Sequence, residues 1–206
     1  MLKLYLCRFA GIEPAAPEEM LSAYRRERLS VQKNEKARRE SVFPELLLCY
    51  ALRDNGFPVA TPLRILTGEF GKPYLANGEC FFSLSHSAEA ALCALCDREI
   101  GADLQINSTC KPALVKRFFS PDEQNYIFHS SDPDAAFTEV WTKKESWCKR
   151  SGLGLSLPLP SFSVFDESIS SRLFHTTAGE YHVAAAADEL TEPVSLVSID
   201  ANALLP

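Results

Sequence analysis

Three separated segments of this 206-residue chain carry side chains able to do chemistry. "GADLQ" puts Asp103 at the end of an apolar strand-like stretch, and "FSLSHS" puts Ser85 and His86 at the end of another. "WTKKESWCK" spaces Trp141, Glu145 and Lys149 by four, so the three share one face of a helix. Taken singly, each has a structural use: a turn aspartate, a capped turn, a solvated Glu–Lys pair. A Ser–His–Asp hydrolase triad is disfavoured, because Ser85 lacks the strand–turn–helix elbow of such nucleophiles and adjacent Ser and His rarely face each other. Cys93 and Cys96 form a CxxC, with Cys80 and Cys110 as conceivable partners. "ALCALCD", however, reads as a strand without the turn of a zinc knuckle, so zinc is disfavoured too.

Charge adds a fourth feature. Net charge is −6, yet "YRRERLSVQKNEKARR" (Tyr24 to Arg39) is locally +5, leaving −11 elsewhere. A basic run without interleaved aromatics on an acidic chain suits a compact polyanion better than a nucleic-acid backbone. Hydrophobic residues make up 46% and charged residues 23%, the balance of a soluble globular protein. No apolar run reaches membrane-spanning length and the N-terminus shows no signal-peptide pattern, so a cytoplasmic protein without a membrane or nucleic-acid partner is expected.

The elements that must position these residues follow from periodicity and punctuation. "LKLYLCRF" alternates and predicts a strand; Pro17–Leu29 predicts a helix, and Lys36–Asp54 a second, ended by Asn55-Gly56 and kinked or restarted at Pro44. "RILTGEFGKPYL" predicts strand, tight turn and extended segment, "CFFSLSHS" and "AALCALCD" strands joined around Ala88-Glu89, and "EIGADLQIN" a further strand. Ser120-Pro121 with Glu123 is a capping box opening a helix to about Phe128, and Asp132-Pro133 opens the helix that carries Glu145. "LSLPLPSFSVF", "ISSRLFHT", "YHVAAAAD" and "PVSLVSID" are strand candidates. Both halves end in a small-residue strand closing on Asp, "ALCALCD" and "HVAAAAD", a hint of duplication.

In this order the basic segment near Arg25, "GKP", "FSLSHS", "GADLQ", "RFFSPDE", "WTKKESWCK" and "GLGLSLPLPSFSV" resemble one family, the 4'-phosphopantetheinyl transferases of the long, surfactin-synthetase-activating type. The resemblance implies an α+β fold of two similar lobes related by pseudo-twofold symmetry, 1–108 and 109–206, with the active site between them. It implies transfer of the phosphopantetheine arm of coenzyme A to a serine of an apo acyl or peptidyl carrier protein, with Mg2+, releasing 3',5'-ADP, by a monomer. By the same resemblance, Asp103 and Glu145 hold the metal from opposite lobes, Glu145 takes the serine proton and Lys149 steadies the leaving phosphate. Lys72 and Pro73 lie along the adenine and phosphates, Ser85 and His86 form a phosphate-binding turn, and Arg25, Arg28 and Arg39 serve the 3'-phosphate. Two departures stand out. Gln105 replaces the usual metal-site Glu, which raises the alternative of a coenzyme A-binding relative with weak turnover, and Ala102 replaces a larger residue before Asp103.

Overall fold

The structure is a computed structural model; it describes residues 2–204 apart from 15, 33, 191 and 192. Along the chain run β1 (Lys3–Arg8), α1 (Ala23–Ser30), α2 (Glu35–Asp54), β2 (Ile65–Thr67), β3 (Pro73–Leu75), β4 (Phe81–Ser87), β5 (Ala90–Cys96) and β6 (Ile100–Ile106). Then follow α3 (Pro112–Phe118), α4 (Pro121–Phe128), α5 (Pro133–Ser151), α6 (Glu167–Ser170), β7 (Leu173–Ala178), β8 (Tyr181–Ala187) and β9 (Ser195–Asp200). The fold is α+β.

Two sheets carry the architecture, ordered β4-β5-β1-β9 and β6-β8-β7. Every pairing in them is antiparallel except β1 with β9, which is parallel. The sheets meet through an apolar layer in which Leu4, Leu6 and Leu92 of one face Ala102, Leu104 and Val183 of the other. Helix α2 covers the outer face of the first sheet and α5 that of the second. Strands β5 and β8 are therefore covered on both faces and buried at every position. The alanines and cysteines of β5 and the alanine run of β8 have that cause: small side chains let a helix and a second sheet approach the same strand.

The connectivity repeats. In β1–α2–β4–β5 and again in β6–α5–β7–β8 a strand is followed by a long helix and a hairpin, and the second hairpin strand pairs back with the first strand of its unit. Both sheets draw strands from either side of the 108/109 division expected from sequence, since β6 pairs with β8 and β9 with β1.

Several local expectations need correction. The segment expected to be helical from Pro17 splits into a short 3-10 turn, Glu18–Met20, and α1, which restarts because the Ser22 hydroxyl accepts from Arg25 N at 3.1 Å. Pro44 lies inside an uninterrupted α2. It leaves the Glu40 carbonyl without its helical donor, yet the surrounding helix is buried and held by packing. "LSLPLPSFSVF" is two 3-10 turns, Gly154–Ser156 and Leu159–Ser161, where two prolines without N–H groups prevent strand pairing. Helix α3 was not anticipated at all. The basic segment is otherwise helical on both sides of a short break, with Lys33 outside the described residues.

Candidate active site

Strands β4 and β6 lie side by side but are joined by side chains. The alternate serines of "FSLSHS" point at β6: Ala102 N donates to Ser83 Oγ at 2.9 Å, Ser85 Oγ donates to Asp103 Oδ1 at 2.7 Å, and Ile106 N donates to Ser87 Oγ at 3.0 Å. Each serine satisfies a β6 group that would otherwise be costly to bury, because Asp103 is only 2% exposed. Ser85 and His86 are thus consecutive residues of a strand, one inward and one outward, rather than the turn expected from the resemblance.

Helix α5 delivers the other half of the site. Asp132 caps it, accepting from Ala135 N at 3.0 Å, and Gly152 ends it in the left-handed region at φ 73°. Its rotation is fixed by Lys144, which is fully buried and donates to both Glu123 oxygens (2.9 and 2.7 Å) and to the Phe162 carbonyl (2.7 Å). Glu123 is the capping-box glutamate of α4, accepting from Ser120 N at 2.9 Å, so one carboxylate both caps α4 and anchors α5. Trp141 seats the same helix among Phe118, Phe119 and Phe137.

One turn beyond the Lys144 anchor, Lys149 Nζ reaches Asp103 Oδ1 at 2.6 Å and Ser85 Oγ at 3.0 Å. Gln105 Nε2 donates to Asp103 Oδ2 at 3.0 Å. Glu145 is half-buried beside them and has no hydrogen bond or ion pair among the described residues. Burial pushes its carboxyl above the ordinary glutamate value, and the Asp103 charge pushes the same way against Lys149. Asp103, Gln105, Glu145 and Lys149 are therefore brought together. The two carboxylates come from the same β6–α5 layer, however, because α5 packs directly on β6; the residue reaching in from the first sheet is Ser85.

Beside this cluster opens a cleft of about 310 Å³. Of the residues expected to meet coenzyme A, Arg25, Arg28, Lys72, Pro73, Ser85 and His86 line it. Pro44, the helix oddity, forms part of its wall. Arg28 stacks its guanidinium 4.7 Å from the centre of the Tyr24 ring and has no carboxylate partner among the described residues. Arg25 is buried and already paired with Glu45 at 3.3 Å, and Lys72 with Glu99 at 2.5 Å. The His86 imidazole is held below the usual histidine pKa, mainly by desolvation and also by Lys149 and Arg25, against Glu40 and Asp103. Arg39 is the exception. It bonds Glu13 at 2.6 Å and Glu89 at 2.8 Å, away from the cleft. Arg25 and Arg28 on α1 line the opening, whereas Arg39 on α2 does not and is held by two glutamates.

The two carboxylates, Asp103 and Glu145, fit a hard divalent cation, with Glu145 half-buried and without a hydrogen-bond or ion-pair partner among the described residues, while Gln105 turns its amide nitrogen toward Asp103. Among the described residues no group of three or more His, Cys, Asp or Glu could hold a metal.

Sequence reasoning missed three contributors. A Cβ on Gly101 would meet the backbone of Ser146 and Arg150, so this glycine sets how closely β6 and α5 approach. Its place two residues before Asp103, on the same face of the strand, was a legible signal. Glu123 was read as a cap only, its pairing with Lys144 being unmarked in sequence. A second hollow of about 410 Å³, between Gln105, Lys111, Leu114 and Trp141, depends on the unanticipated α3.

Comparison with known proteins bears on residues 99–196, which match the model of the 4'-phosphopantetheinyl transferase superfamily. The chain is 41% identical over 100 residues to a 4'-phosphopantetheinyl transferase of Bacillus subtilis, covering 47% of this chain and 44% of that one. It is 36% identical over 105 residues to 4'-phosphopantetheinyl transferase Sfp of Bacillus subtilis strain 168, covering 50% and 47%. With 4'-phosphopantetheinyl transferase ffp of Bacillus subtilis the match is 29% over 147 residues, or 66% of each chain. In the first two the chain matches about half the relative's length. The matched region holds Asp103, Gln105, Glu145 and Lys149, and over it the chain is similar to the 4'-phosphopantetheinyl transferases, the family its motifs resemble.

Proposed function

We propose that this chain transfers the 4'-phosphopantetheine arm of coenzyme A to a serine of an apo acyl or peptidyl carrier protein, releasing 3',5'-ADP. The observation that carries the reading is the α5 face, which sets Lys149 on Asp103 and leaves the Glu145 carboxylate without a partner among the described residues, beside a cleft lined by Arg25, Arg28, Lys72 and His86. An anionic ligand with a base and an acid at one end is what such a cleft suits. Arg28 and His86 would hold the 3'-phosphate, and Lys72 the adjoining phosphates, with Pro73 against the adenine. Glu145 accepts the serine proton as the serine oxygen bonds to phosphorus. Lys149 steadies, or protonates, the phosphate oxygen released when the pyrophosphate bond breaks. Mg2+ held by Asp103, Glu145 and Gln105 would neutralise pyrophosphate charge. Since Gln105 lines the second hollow, the carrier serine would approach from that side.

The repeated β–α–β–β connectivity supports two lobes related by a pseudo-twofold axis, built within a monomer. A second reading, a coenzyme A-binding relative with weak turnover, is favoured by one contact: Gln105 donates to Asp103 where a Glu would add charge. Incubation with coenzyme A and several apo-carriers, with and without Mg2+, separates the two by the intact mass of each carrier. Mg2+-dependent mass gain supports transfer; coenzyme A binding without mass gain supports the second reading.

A further inference from the structure

Both oxygens of Asp103 are already engaged. Oδ1 accepts from Ser85 Oγ (2.7 Å) and Lys149 Nζ (2.6 Å), and Oδ2 accepts from Gln105 Nε2 (3.0 Å). Lys149 is held there on three sides, its remaining contact being the Leu84 carbonyl at 3.5 Å. Glu145, one turn back on the same helix, has no hydrogen-bond or ion-pair partner among the described residues. The chain thus neutralises one of its two clustered carboxylates with its own ammonium. That ammonium occupies the space a divalent cation would need to bond Oδ1, and two cations so close repel strongly in a partly buried site. Lys149 also lines the cleft, where its neighbours Arg25 and His86 mark the side on which an anion would lie.

We propose that Lys149 is the resident counter-cation of Asp103, closing the divalent-cation position in the free protein and yielding it when phosphates in the cleft draw the ammonium away. The inference rests on the functional reading above in one respect, that the cleft takes a phosphate-bearing ligand. It makes cation and phosphate binding mutually reinforcing, each raising affinity for the other by the same factor. It also gives Lys149 a role as a positioning residue before any bond is broken.

The test is direct binding of Mn2+ to the free full-length chain, read by the spectroscopic signal of unbound ion, with no carrier present. Lys149→Met should bind Mn2+ about tenfold tighter or more than wild type, because the competing charge is gone while Asp103 and Glu145 remain. Mn2+ should raise the melting temperature of Lys149→Met more than that of wild type, which also reports that the variant folds. Adding Asp103→Asn to Lys149→Met should abolish the gain. Coenzyme A should tighten Mn2+ binding to wild type and add much less in Lys149→Met. Mn2+ affinity in Lys149→Met equal to or below wild type would overturn the proposal. So would a lack of coupling in wild type when coenzyme A binds. Failure of coenzyme A to bind at all would count against the functional reading, and the comparison of Mn2+ affinities would still decide this one.

Discussion

Gly101 lies against the Ser146 carbonyl so closely that a Cβ on it would sit 2.1 Å from that oxygen. Strand β6 and helix α5 therefore touch backbone to backbone, and this contact brings Asp103, two residues along the same strand face, within reach of Lys149. Because the obstruction is backbone on a helix pinned by the buried Lys144–Glu123 pair, neither side can yield cheaply. Gly101→Ala should destabilise the fold by about 3 kcal/mol or more, and any folded fraction should lose coenzyme A-dependent activity. Urea denaturation measures this; a loss under about 0.5 kcal/mol would mean that α5 shifts freely.

His86 carries a pH signature. Its lowered pKa, chiefly from desolvation, means that the folded chain holds fewer protons there than the unfolded one. Stability should fall as pH drops through the histidine range, while affinity for coenzyme A rises, because a phosphate favours the imidazolium. His86→Ala should flatten that rise and weaken coenzyme A roughly tenfold, with little effect on 3'-dephospho-coenzyme A. Calorimetric titration at several pH values checks both; equal losses for the two ligands would remove His86 from the 3'-phosphate.

Much of this site was legible because its chemistry travels with local spacing. Glu145 and Lys149 share a helix face by arithmetic, and capping residues at Ser120 and Asp132 located α4 and α5. Asp103 and Ser85 could each be placed on a strand, but no local pattern says that β4 and β6 adjoin, so their hydrogen bond came only with the structure. The division at residue 108 followed a loop and not a pairing, and pairing is non-local: β6 finds β8 some 80 positions on and β9 returns to β1. Nor does local charge show that Arg39 is answered by Glu13 and Glu89, a pairing that came only with the structure. "LSLPLPSFSVF" alternated convincingly, and only its two prolines argued against a strand.

Gln105 offers a graded test of the cation site. Its amide now donates to Asp103 Oδ2, and a carboxylate in its place would face Asp103 without a proton between them. Gln105→Glu should therefore make the cluster more demanding of a cation, lowering several-fold the Mg2+ concentration for half-maximal transfer while leaving the saturated rate little changed. Superimposable Mg2+ titrations would place residue 105 outside the metal's surroundings. Loss of activity in Gln105→Glu would show that the amide's hydrogen bond is itself required.

The central claim is that Glu145 takes the serine proton during transfer to a carrier. Burial and the Asp103 charge both disfavour its ionised form, so the folded chain holds more proton at Glu145 than the unfolded chain and this group costs stability once pH exceeds its ordinary range. Glu145→Gln should accordingly keep or raise the denaturation midpoint at neutral pH while cutting transfer by at least about 100-fold. The deciding measurement is the intact mass of an apo carrier protein after incubation with coenzyme A and Mg2+. Wild type should add one phosphopantetheine arm to a single serine, and Glu145→Gln, folded and binding coenzyme A, should add none in the same time. Transfer by Glu145→Gln at a rate near wild type would contradict the account.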